Sequence, residues 1–208
     1  MEPRLQSVSD EGDLIRFTLQ DINVSFANAI RRTLLTDIPV IAIRTETYDT
    51  NQCHIHTNTG RLHNEILKQR ISCIPINSKK LQDDEDGKTL LENYQLEVHV
   101  KNDSDNVRFV TTEDFHIKEK DASKTLSKDA QQQLFPNLFP KNPITQSYID
   151  FARLRPKMGE GLEGEELHLT ADFSLATAKE SSMFNVVSKC SYGNTRDDAK
   201  ASEVWEAQ

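Results

Sequence analysis

The chain has 208 residues, enough for one large domain or two small ones with a real core. Only 36% of them are hydrophobic and 28% are charged, with a mean hydropathy of -0.62, which implies long loops or a core completed by another chain. A formal net charge of -8 gives no gain from phosphate counterion release, so no direct nucleic-acid binding is expected. No apolar run nears the ~18 residues a bilayer span needs, so no membrane partner is expected either.

In chain order, Asp13 to Leu19 alternates through Ile15, Phe17 and Leu19 and reads as a half-buried strand. Asp21 and Asn23 offer helix caps, and Phe26, Ala27, Ile30, Leu34 and Leu35 then recur at helical spacing until Pro39 stops the helix. Val40 to Tyr48 reads as a second strand, Thr57 to Gly60 as a loop, and Leu62 to Arg70 as a second helix. The apolar run Ile71 to Ile76 follows, and then a charged loop over Ser78 to Thr89, centred on Asp83 to Gly87. That loop lacks the ligand spacing of a calcium-binding loop and reads as a solvated acidic turn.

Tyr94 to Val100 alternates, Asn102 to Asn106 is a turn, and Val107 to Thr112 follows, a pattern that predicts a hairpin. Residues 118 to 143 are polar and proline-punctuated, and Ser147 to Leu154 reads as a strand. The loop Gly159 to Gly164 is too acidic to cradle phosphate. Leu167 to Ser174 gives the cleanest period of two, Met183 to Tyr192 reads as a further strand, and Arg196 to Gln208 is helical in character, with Ala199, Val204 and Trp205.

Three widely spaced cysteines, Cys53, Cys73 and Cys190, and no basic-then-apolar N-terminus point to a reducing intracellular compartment. Cys53, His54, His56, His63 and Cys73 form the one loose metal-ligand grouping, and with it the alternative reading of a free-standing metal-dependent enzyme. Tetrahedral zinc sites show tighter pairs than these, so no metal and no cofactor are expected. No nucleophile motif or phosphate loop stands out, so no catalytic residue is assigned. Arg31 and Arg32 sit side by side on the first helix, where adjacent positions point about 100° apart and cannot share one role. One guanidinium can pair within its own chain while the other reaches a partner's carboxylates.

Phe26-Ala27-Asn28-Ala29-Ile30-Arg31-Arg32-Thr33-Leu34-Leu35, followed by Ile38 to Ile43, resembles the signature of alpha-like subunits of multisubunit DNA-directed RNA polymerases. These are bacterial alpha, its archaeal counterpart and the third-largest subunit of eukaryotic RNA polymerase II. A second block, His63 to Ile76, resembles the E-x-x-x-x-R-(I/L)-x-x-I-P-I segment of the archaeal and eukaryotic branch. A third, Glu166 to Ala171 through Thr177-Ala178-Lys179-Glu180, resembles that branch's strand and A-K-E turn. The polar lettering from Lys179 to Asn194 is most similar to versions carried by large DNA viruses.

The resemblance implies an α+β fold: a discontinuous dimerisation domain, residues 1–44 and 155–208, interrupted by a β-rich insert domain, residues 45–154. It implies a non-catalytic assembly subunit that heterodimerises with a smaller alpha-like subunit and seeds assembly of the large catalytic subunits. Its place would be with the transcription machinery, in nucleus, cytoplasm or virion. Phe26, Ala27, Ile30, Leu34 and Leu35 would pack the dimer interface, and Arg31, Arg32, Lys179 and Glu180 would contact a large subunit. Two departures stand out. Lys79 to Leu90 lacks the cysteine cluster that many relatives carry in the insert, so that metal is not carried over. Family members continue to a final strand and a long dimerisation helix, so the chain reads as lacking these.

Overall fold

The computed structural model describes residues 2–12, 14–77, 91–121, 125–159, 161 and 163–207. The predicted acidic loop around Asp83 to Gly87, the cysteine-free stretch Lys79 to Leu90, Asp13 and Glu160 lie outside these, as does the side chain of Ala199. Helices and strands mix without a repeated βαβ pattern, and the fold is α+β. The chain divides into two compact units, a terminal one formed by Met1–Ile38 with Asn185–Gln208 and a central one, Pro39–Phe184.

In the terminal unit, β1 (Arg4–Asp10) pairs antiparallel with β2 (Ile15–Gln20), with an irregularity between Gln6 and Ser9. β1 has no counterpart among the elements predicted from sequence. Asp21 then turns the chain with φ 56, a left-handed conformation that a short polar side chain tolerates, so it is not the helix cap. Asn23 is: its side-chain oxygen accepts the Ser25 N–H at 2.8 Å and opens α1 (Val24–Thr36). The helix closes where the Asp37 N–H reaches the Thr33 carbonyl at 2.9 Å, two residues before Pro39.

The central unit is built on a four-stranded antiparallel sheet in the order β4-β9-β5-β7. Its strands are β4 (Cys53–Asn58), β5 (Tyr94–Lys101), β7 (Phe115–Glu119) and β9 (Glu166–Asp172). Two ribbons complete it: β3 (Val40–Ala42) with β10 (Ser174–Ala176), and β6 (Arg108–Thr111) with β8 (Asp150–Leu154). α2 (Asn64–Ser72) buries Leu67 and Ile71 in one core with Leu96, Val98, Ile117, Phe151, Leu167 and Leu169. Burial of each such side chain stabilises the fold by about 1.5–3 kcal/mol. Arg70 clasps the helix to β8, donating to the Phe151 carbonyl at 2.7 Å and the Asp150 carbonyl at 2.8 Å. The short helix α3 (Lys128–Leu134) is capped by Ser127 and delivers Phe135 and Leu138 to the same core.

Several expectations are corrected. The segment Val40 to Tyr48 is strand only over its first three residues, because Glu46 to Thr50 bends and turns. Thr57 and Asn58 end a strand rather than open a loop. Tyr94 to Val100 does not form a hairpin with Val107 to Thr112: β5 pairs with β7 and β9, and β6 pairs with β8. Asn102 is the reason. It is buried, and its amide donates to the carbonyls of Asn106, Leu154 and Arg155 at 2.9–3.0 Å, so the following chain is drawn to β8. Gly164 is required beside it, since a Cβ there would lie 1.6 Å from the Asn102 carbonyl oxygen. Met183 to Tyr192 is not a strand. Ser182–Phe184 forms a single 3-10 turn whose Phe184 packs with Ala42 and Ala176, and the polar residues after it have no ladder to join. The predicted C-terminal helix is present as α4 (Asp198–Glu206), capped by Asp197.

Candidate functional site

The terminal unit carries the Arg pair. Among its described residues no residue is buried. On α1, Ala27, Ile30, Leu34 and Leu35 are half-buried and Phe26 is 57% exposed. The pattern extends beyond the helix: Ile15 is 60% exposed, Val204 63% and Trp205 80%, with Leu5, Val8 and Phe17 also exposed. Isolated exposed apolar residues are ordinary on soluble domains, but so many large ones in one small unit exceed that pattern.

The two arginines differ as their 100° offset requires. The Arg31 Nε donates to the Asn28 side-chain oxygen one turn earlier at 3.0 Å, which fixes its direction. Arg32 is exposed, and among the described residues its guanidinium has no partner; its backbone carbonyl accepts the Thr36 hydroxyl at 2.8 Å.

The other predicted pair, Lys179 and Glu180, lies in the central unit on a turn closed by the Glu180 N–H to the Thr177 carbonyl at 3.0 Å. Arg44 holds this turn. Its Nε and terminal nitrogen approach the Glu180 carboxylate at 2.8 and 2.7 Å, and it also donates to the Leu175 carbonyl. Ser181 reaches the Glu46 carboxylate from the same turn at 2.8 Å. Glu180 is thus engaged within its own unit. Arg44 and Glu46 are positioning residues that sequence reading missed, since their partners lie more than 130 residues away.

The alternative metal grouping is not assembled. Cys53 is wholly buried, and burial pushes its thiol up to about 11 despite the opposing charge of Lys68, so it is a poor thiolate ligand. His54 is exposed beside it, while the His56 imidazole bonds the Thr170 hydroxyl at 2.9 Å and packs against His168. His63 begins α2, and Cys73 ends it in solvent. Among the described residues no group of three or more His, Cys, Asp or Glu side chains is arranged to hold a metal ion. A shallow groove of about 590 Å³ lies over Tyr48, Asn51, His56 and Lys68, with no nucleophile and base paired in it.

A family model described as "RNA polymerase Rpb3/Rpb11 dimerisation domain" matches residues 16–189. DNA-directed RNA polymerase subunit Rpo3 of Pyrococcus furiosus is 33% identical over 72 residues, 35% of this chain and 25% of that protein. Subunit Rpo3 of Thermoplasma volcanium is 25% identical over 213 residues, 99% of this chain and 69% of that protein. In Arabidopsis thaliana, DNA-directed RNA polymerases IV and V subunit 3B is 34% identical over 68 residues, 33% of this chain and 19% of that protein. The matched stretches with the Pyrococcus and Arabidopsis proteins span a quarter or less of those relatives' length.

Proposed function

The chain belongs to the RNA polymerase Rpb3/Rpb11 dimerisation-domain family, and from that premise we propose that it is a non-catalytic assembly subunit of a DNA-directed RNA polymerase. In this reading it pairs with a smaller alpha-like subunit, and the pair forms the platform on which the large catalytic subunits assemble. Its place is with the transcription machinery inside the cell. The observation that carries the proposal is the terminal unit, whose described residues include none that is buried while large apolar side chains of β1, β2, α1 and α4 face outward. A surface of this kind is stabilised by a partner's apolar face, as in obligate interfaces that resemble a core cut in half.

Within that reading Phe26, Ala27, Ile30, Leu34 and Leu35 form the dimer interface. The discontinuous arrangement follows the family: residues 1–44 and 155–208 serve dimerisation, and 45–154 form an insert. Arg32 faces a large subunit, since a free guanidinium on a helix is suited to bidentate pairing with a carboxylate. Arg31 lies near the same surface, and Lys179 contributes from the Thr177 to Glu180 turn. Glu180, already engaged by Arg44, acts by holding that turn in shape.

Co-expression with a small alpha-like subunit from the same genome tests this, with light scattering of the purified material. The expected product is a soluble one-to-one complex. A well-behaved monomer that ignores the partner overturns the proposal.

A further inference from the structure

Five of the chain's six histidines lie on β4, β5, β7 and β9 and turn to the outer face of the sheet. Three of them form a row across adjacent strands. The His168 ring on β9 stacks against His99 of β5 with centroids 4.4 Å apart, and packs at a tilt against His56 of β4 at 4.6 Å. Among the described residues the His168 Nε2 is buried without a hydrogen-bond partner, and the Glu97 carboxylate lies 3.6 Å from it. That carboxylate is already taken by Lys118 at 3.0 Å and by the Thr125 hydroxyl at 2.8 Å.

The surrounding charges make the three imidazoles unequal. On this face β4 presents His54 and His56, β5 presents Glu97, His99 and Lys101, β7 presents His116 and Lys118, and β9 presents Glu166, Thr170 and Asp172. Lys68 of α2 and Tyr48 share the groove beside His54 and His56, and Lys120 pairs with Asp172. His99 has a carboxylate partner, Glu166, at 2.8 Å, whereas among the described residues the His56 ring bonds the Thr170 hydroxyl alone.

β4 is the strand free to respond. It is the sheet's edge, held by β9 on one side only, and its register with β9 is irregular between Ile55 and Thr57, where His56 sits. We propose that the His56–His168–His99 row is an acid-sensitive latch, in which proton uptake sets like charges against one another and releases β4 from β9. Burial first, then His99 and His56, hold the His168 pKa below its ordinary value, against the pull of Glu97. A histidine depressed in the folded state binds more protons when unfolded. The latch is thus fully closed above about pH 6.5 and loosens as pH falls below it.

Hydrogen exchange of the full chain, corrected for intrinsic rates, reads the latch directly. Between about pH 7.5 and pH 5.5, protection of His54 and Thr57 should fall about tenfold while Leu96 and Ile117 keep theirs. Relative to a small free thiol at the same pH, buried Cys53 on β4 should react faster with a pyridyl disulfide as pH falls over that range, read in a background with Cys73→Ser and Cys190→Ser. His56→Gln and His99→Gln should each flatten the response, and His116→Gln on the same face should leave it intact. Loss of protection at Leu96 and Ile117 in step with β4 would mean general acid unfolding and overturn the latch. So would an unchanged response in His56→Gln.

Discussion

In the central unit Leu96, Ile117 and Leu169 are wholly buried beneath one face of the sheet, whereas in the terminal unit Ile15, Phe26 and Trp205 remain open to solvent. Both units have regular, capped elements and hydrogen-bonded strands, so secondary structure does not distinguish them. What differs is whether the apolar face has found a cover. A unit with its own core stands on its own free energy; one without must take that free energy from association. On the proposed reading, the central unit chiefly supplies folding free energy and the terminal unit chiefly supplies the pairing surface.

The largest effect that would break this comparison is a charge on α1. Ile30→Asp or Leu34→Asp should abolish pairing with the smaller subunit, because an unpaired carboxylate would be buried in the joint interface. The central unit should be untouched. Co-purification and light scattering check the first part, and the unfolding midpoint of the free variant checks the second. Normal recovery of the complex from either variant would place the dimer surface elsewhere.

Truncations sharpen the same contrast. Leu169→Ala removes a wholly buried side chain and should cost the central unit about 3 kcal/mol in urea unfolding. Phe26→Ala, at a site already mostly solvated, should change the free chain by less than about 0.5 kcal/mol yet weaken pairing. Equal losses in the free chain would show that α1 already has a cover. A smaller effect comes from Arg32→Ala, which should spare the heterodimer and weaken large-subunit recruitment about tenfold in a pull-down. Intact recruitment would remove that role from Arg32.

Legibility in the sequence followed from how local each cause was. α1 could be read because its cap at Asn23, its apolar spacing and its stop near Pro39 all lie within a short window. The alternation of β9 was equally plain, one face against the core and the other outward. β1 escaped because Gln6, Ser7 and Ser9 give no apolar period, and its pairing with β2 supplies what propensity does not. The false hairpin at Tyr94 to Thr112 had correct turn residues, but Asn102 bonds to carbonyls some fifty residues away and redirects the chain. The candidate site shows the same divide. The Arg pair and the apolar stripe were visible on one helix, while the Arg44 clasp on Glu180 joins residues 136 positions apart.

The smallest expected effect lies in the central unit and concerns Glu97, a largely covered carboxylate on the polar face of its sheet. Burial by itself would raise its pKa, but bonds from Lys118 and Thr125, the Lys118 charge and His168 together outweigh that and hold it below the usual carboxylate range. A depressed carboxylate contributes stability above its unfolded value and loses it as pH falls through the folded one, so the window opens below about pH 4.3. Glu97→Gln should therefore lower stability at neutral pH and flatten the acid limb of a urea-midpoint profile, without altering pairing through the terminal unit. An unchanged acid limb would mean that Lys118 and Thr125 hold the side chain in place without favouring its charge. A change in pairing would mean that the two units do not divide folding from assembly.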